Sequence, residues 1–334
     1  MSQNQLLTSS FDSIERKVQF TGNSTFIISL PKEWALEQGL EPGMSMSLYP
    51  HEDRLVAATE PVSTRDRTVT VDADTFSEEV ITWRIKTAYT GGYDRITVIG
   101  LDETDLQLRR SVQQTVNQLT GATIRTDTDD RLTIVNLLDS SEISLPQTVS
   151  QAQQLALQLH EDAIDAFLTN DTDLARRVID RDDDVDRLFS FTKHGINRGL
   201  EDVHEIDRLG TDRLSMFRNY RITQQLERIA DHAEGIARET TRQANSPDPV
   251  FADQLETIGD DARTVIELSL ADEPEQAHET LSSVREAINQ IDQELYDREE
   301  KNSYRYGRVL QQVHRTAENG INIAEAITES SPEN

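Results

Sequence analysis

The chain has no cysteine among its 334 residues, which excludes a disulfide framework, a thiolate metal site and a cysteine nucleophile. No window approaches the roughly 18 consecutive apolar residues that a membrane-spanning helix needs. Met1 to Ser10 lacks a basic start followed by an apolar core, so no secretory leader is expected there. Neither an H-E-x-x-H spacing nor a serine in a nucleophile elbow occurs near His160, His194 or His204. No general base or substrate loop can be named, and the expectation is a non-enzyme in an intracellular, cytoplasmic setting.

Lysine is scarce as well, at five residues, while 61 acidic side chains face 33 basic ones for a formal charge of −28. Such an acid-rich, lysine-poor, aromatic-poor composition resembles that of cytosolic proteins from extreme halophiles, where concentrated salt screens the self-repulsion. The length accommodates two or three domains, and the periodicity supports three, in a multidomain α+β chain.

The first expected domain spans 11–60. Arg16 to Phe20 alternates as a strand, Gly22-Asn23 signals a turn, and Ser24 to Leu30 reads as a second strand. Pro31 opens a short helix that Gly39 ends, Pro42-Gly43 turns the chain, and strands follow near Met44 to Leu48 and Arg54 to Ala57. The order of Gly22, Pro31-Lys32-Glu33, Gly39-Leu40 and Pro42-Gly43 resembles the AbrB/SpoVT family of swapped-hairpin domains. That resemblance implies a β-rich homodimer that binds DNA, with Arg16, Lys17, Asn23, Ser24, Thr25 and Lys32 by position facing the nucleic acid. The charge departs from the pattern, because residues 1–60 carry four basic against eight acidic side chains.

A second domain is expected over 62–145, with strands and helices alternating as a small α/β layer of four strands and two helices. Gly91-Gly92 lacks the strand-to-helix setting of a phosphate loop and reads as a helix stop.

From 146 to 330 the period is helical, and the break at Asn245 to Pro249 divides about six helices three and three, as tandem bundles 146–245 and 250–330. In Leu226 to Ala237 an apolar stripe of Leu226, Ile229, Ala230, Ala233, Ile236 and Ala237 coexists with Glu227 and Asp231, stacked one turn apart on its flank. His232 projects to the other flank. On the preceding helix Asp182 interrupts an apolar stripe, with Asp186 one turn on, and a carboxylate buried there needs a partner or a cation. The two segments resemble the paired motifs of the PhoU family, helical regulators of phosphate uptake that bind metal. The resemblance implies a site at Asp182, Asp186, Glu227 and Asp231. Hard oxygen ligands favour iron, manganese or magnesium. The chance reading is that so acidic a chain yields carboxylate pairs at four-residue spacing anyway.

The two halves are related in sequence. Arg228 to Glu239 aligns with Arg315 to Ala326, and Val185-Asp186 with Ile291-Asp292. The second copy has His314 in place of Glu227 and Ile288 in place of Asp182, which leaves Asp292, His314 and Glu318 as a mixed set. Taken together, the resemblances imply a haloarchaeal-type, DNA-binding transcriptional regulator of phosphate uptake with a PhoU-like sensory tail. The alternative is a PhoU-type adaptor that does not bind DNA and negatively regulates a phosphate ABC transporter or a signalling partner.

Overall fold

The structure is a computed structural model that describes residues 14–22, 25–51, 54–58, 67–101, 106–137, 144–201, 203–297 and 302–329. The chain divides into two compact units, residues 1–64 and 65–334.

In the first unit β1 (Gln19–Thr21) and β2 (Thr25–Ile27) form an antiparallel hairpin with Gln19 opposite Ile27. Helix α1 (Lys32–Glu37) ends before Gly39, whose φ of +68° lies in the left-handed region that a side chain resists. A second hairpin pairs β3 (Ser47–His51) with β4 (Arg54–Ala58). The apolar pattern from Arg16 to Phe20 and onward to Leu30 suggests longer strands than the three-residue pairing observed. Beyond that pairing, no other described strand hydrogen-bonds to either one. No described residue of this unit is buried, and Phe26 (73 %), Leu36 (65 %) and Val18 (63 %) are open to solvent.

The second unit begins with a four-stranded sheet in the order β5-β6-β8-β7. Strand β5 (Thr68–Asp72) pairs in parallel with β6 (Arg95–Ile99) through the crossover helix α2 (Glu78–Thr90), as parallel neighbours require. Helix α3 (Leu106–Asn117) leads to the antiparallel pair β7 (Ala122–Thr128) and β8 (Arg131–Asn136). Val71, Ile85, Val98, Val112, Leu132 and Ile134 fill the space between sheet and helices. Gly92 takes φ +81° after α2, so the glycine pair is the helix stop its setting suggested.

Seven helices follow among the described residues: α4 (Leu145–Thr169), α5 (Thr172–Glu201), the short α6 (Val203–Arg208), α7 (Arg213–Thr240), α8 (Pro249–Leu270), α9 (Pro274–Asp297) and α10 (Ser303–Thr328). Their ends are set by local chemistry. Asn170 closes α4 at φ 57°, and Asp212 caps α7 by accepting from the Ser215 amide. The Asp248 carboxylate accepts from the amides of Val250 and Phe251, with Pro249 at the first helical position.

The two sets of three long helices share one core. Phe167 of α4 meets Phe251 of α8 and Tyr306 of α10, whose rings stack 4.0 Å apart. The break at 245–249 is thus a turn inside a common interior. The α/β layer is tied to α5: His194 Nδ1 lies 2.7 Å from the Tyr89 carbonyl, Asn197 donates to the Thr90 carbonyl at 2.8 Å, and Arg198 pairs with Asp94. No described helix is long and apolar enough to cross a membrane.

Close helix approach makes one glycine critical. A Cβ on Gly320 of α10 would stand 3.0 Å from Val265 Cγ1 and 3.2 Å from the Ile266 backbone nitrogen of α8, whereas Gly307 of the same helix has open space. Gly320→Ala is expected to lose about 1–3 kcal/mol in chemical denaturation through overpacking. Gly307→Ala should match or exceed the parent, since alanine costs less backbone entropy in a helix.

Candidate metal centre

Helices α5 and α7 pack along their length because each turns an apolar stripe inward: Ala175, Val178 and Val185 on α5, where Asp182 interrupts the run, and Ile229, Ala230, Ala233 and Ile236 on α7. The acidic residues that share these turns are thereby brought face to face. Ligand oxygens of Asp182, Asp186 and Asp231 all lie within 4.8 Å of one another, and among the described residues they form the one group of three or more metal-type side chains so close. Asp182 Oδ1 is shielded from solvent and has no hydrogen-bond partner, the condition of a donor that wants a cation. Three hard oxygens at this separation fit a hard divalent or trivalent ion.

The electrostatics agree. Burial, and then the charges of Asp186 and Asp231, push the Asp182 carboxyl up to about 8. Burial, followed by Asp186 and Glu234, raises Asp231 to about 6. Asp186 is raised by burial and by Asp183, against the opposing pull of Lys86.

Of the four carboxylates expected from sequence, three converge and one stands aside. Glu227 is outside the close group. It is raised to about 7 by burial and by Asp231 and Asp186, with Arg228 and Lys193 pulling the other way. Glu227 and Asp186 instead line a cavity of about 240 Å³ where α5 and α7 meet the α/β layer. Lys86 and Trp83 of α2 and Lys193 of α5 line it too. Two of the five lysines in the chain therefore stand beside this acidic centre. Sequence reading missed both, because Lys86 sits a hundred residues away in the α/β layer and carries no motif. It also missed Gln118, which donates to the neighbouring Asp183 at 3.2 Å.

His232 lies on the opposite flank, as the helical period requires. Its Nε2 is 3.1 Å from Asn319 Nδ2 of α10, and burial together with Arg315 lowers its pKa to about 4. The mixed set of the second half does not assemble. Glu318 pairs with Arg285 at 3.1 Å and sits 3.5 Å from His314, while Asp292 is exposed. In the N-terminal unit Arg16, Lys17, Thr25 and Lys32 are exposed, and Asn23 and Ser24 lie outside the described residues.

The carboxylate centre thus lies between α5 and α7 inside the all-α tail. Residues 149–240, which contain α5, α7, most of α4 and all four carboxylates, match the family model of the PhoU domain. Two solved structures are similar to the chain at low identity. One is the phosphate transport system regulatory protein PhoU from Streptococcus pneumoniae, with 18 % identity and a TM-score of 0.45 over 56 % of this chain and 92 % of that one. The other is PhoU from Pseudomonas aeruginosa, with 17 % identity and a TM-score of 0.42 over 56 % and 94 %. No curated protein matches the chain.

The raised carboxyls fix a direction of pH dependence. Asp182 has a folded pKa near 8 against an ordinary 3.8, so the folded state holds the proton more tightly and its stability falls as pH rises through that interval. Metal and proton compete for the same oxygens. Melting temperatures between pH 5 and 8.5, in chelator and concentrated salt, should fall as pH rises, and added Mn²⁺ should remove most of the fall. Asp182→Asn should flatten the chelated curve. Parallel curves for parent and variant would mean the cluster is a solvated acidic edge.

Proposed function

We propose that the chain is a PhoU-type regulator of phosphate transport, acting as an adaptor on a phosphate transporter or its signalling partner. The observation that carries this reading is the convergence of Asp182, Asp186 and Asp231 inside the segment that matches the PhoU domain. Those three residues would hold a hard cation, iron, manganese or magnesium, with Glu227 alongside. Such a cation would supply the positive charge that offsets the repulsion among these carboxylates between α5 and α7. The chain's own contribution is to position the carboxylates, to cover them with α2, and to place Lys86 and Lys193 beside them.

Phosphate uptake in the native cell tests this reading. Loss of the chain should change the uptake rate in phosphate-replete medium, and re-supplied Asp186→Asn/Asp231→Asn protein should restore it less than the parent. Unchanged uptake without the chain would overturn the reading.

The N-terminal unit is assigned to self-association, because its described residues bury no side chain of their own while Phe20, Phe26, Leu48 and Leu55 face solvent. DNA contact through Arg16, Lys17, Asn23, Ser24, Thr25 and Lys32 is the second reading, favoured by the exposure of the adjacent Arg16 and Lys17. Sedimentation of the full chain in concentrated salt should give a dimer that Phe26→Asp dissociates. The same samples titrated with duplex DNA separate the two readings. Binding that Arg16→Ala/Lys17→Ala weakens, with a shallower salt dependence, establishes the DNA contact, and no binding leaves the unit as an assembly device.

A further inference from the structure

The other flank of α7 opens on a larger cleft of about 680 Å³, walled by α7, α9 and α10. Each helix contributes a guanidinium: Arg228 from α7, Arg285 from α9 and Arg315 from α10. His232 and His278 add two imidazoles. In a chain of formal charge −28, three cations from three helices at one concavity stand against the general character of the surface. Glu318 and Glu325 also line the cleft, but Glu318 is neutralised by Arg285 at 3.1 Å. Neither Arg228 nor Arg315 has a carboxylate within ion-pair distance among the described residues.

The walls are held in place rather than loosely gathered. Asn319 is almost fully buried, with its Nδ2 3.1 Å from His232 Nε2 and its Oδ1 accepting from Asn322 at 3.4 Å. Asn322 also donates to Gln225 at 3.2 Å. Buried Leu281 and Ile321 provide an apolar floor. The internal repeat explains the arrangement. Arg228 and Arg315 occupy equivalent positions in the two sequence copies, and so do His232 and Asn319, which meet across the α7–α10 contact. Where the copies face each other, the repeat sets the same cation on both walls.

Paired guanidiniums offer forked donors that match the oxygens of a phosphoryl group, and an anion of charge two or more makes fuller use of them than a monoanion. The volume falls in the range of small-molecule sites and exceeds what one orthophosphate fills. We propose that this cleft binds a small phosphorylated anion, a diphosphate or nucleotide rather than orthophosphate alone, gripped by Arg228 of α7 and Arg315 of α10. The choice of phosphate over other oxyanions rests on the phosphate-regulator reading. Because Glu227 precedes Arg228 and Asp231 precedes His232, α7 is a wall of both the cleft and the carboxylate centre. An occupant that orders α7 therefore acts on both.

The test uses the full chain in chelator, so that metal-bound phosphate makes no contribution, at ionic strength held constant with sodium chloride. Calorimetry and thermal shift are run with orthophosphate, pyrophosphate, ATP and sulfate on the parent, on Arg228→Gln/Arg315→Gln and, as a control for loss of a surface arginine elsewhere, on Arg176→Gln. Both arginines are exposed, and circular dichroism checks that the double variant keeps its helices. Pyrophosphate or ATP is expected to bind the parent and Arg176→Gln alike, and the double variant roughly tenfold or more weakly. Pyrophosphate binding without ATP binding identifies a bare diphosphate, and binding of both identifies a nucleotide; either outcome supports the site. Three outcomes overturn the proposal: a response no greater than that to sulfate, binding of orthophosphate alone, or equal affinity in the double variant. The uptake assay reads the regulator role independently, so a failure here is distinguishable from a failure of that role.

Discussion

Mutual repulsion among Asp182, Asp186 and Asp231 is the constraint on which the helical tail turns. Apolar stripes on α5 and α7 drive the two helices together, and that same contact brings oxygens of all three carboxylates within 4.8 Å. The group can relax by taking up protons, by taking up a cation, or by letting the helices part. Each of the three is a different state of the same interface. A centre built this way is responsive because its geometry is fixed by burial that the charges oppose.

The α/β layer gains a role from this. Its helix α2 lies over the end of the carboxylate pair, bringing Lys86 beside Asp186 and Trp83 to the rim of the cavity. The hydrogen bonds from His194 and Asn197 to the last carbonyls of α2, with the Arg198–Asp94 ion pair, fasten that cover to α5 itself. Carbonyls at a helix C-terminus lack intrahelical donors, and Asn197 supplies one to Thr90, while the Tyr89 carbonyl also accepts from the Gly92 amide. Cover and carboxylate helix are consequently linked through these defined polar contacts.

Most of the architecture was legible because period and punctuation agree. Gly39, Gly92, Asn170 and Pro249 stop or start elements where their backbone chemistry predicts. Asp182 announced itself as a carboxylate in an apolar stripe. The separation of Glu227 from the other three was not legible, since a spacing of four residues fixes the face of a helix and not the rotamer or the tilt of its neighbour. Lys86 and the arginine cleft were invisible for a different reason. They join residues far apart in sequence, and only tertiary packing shows that cations from separate elements converge. The six-helix tail was expected as two tandem three-helix bundles, and the core cluster that joins Phe167 to Phe251 and Tyr306 draws on both.

Of the exchanges that separate the two halves, one falls inside an apolar stripe. Where α5 carries Asp182, the equivalent position on α9 is Ile288, which is only 7 % exposed. One half is cemented by hydrocarbon, which neither pH nor metal supply can loosen. The other half places three mutually repelling carboxylates at that level. The molecule therefore has a permanent joint and a conditional one. Amide hydrogens along α5 should report the charge state of those carboxylates, while those of α9 keep a steady reference within the same chain.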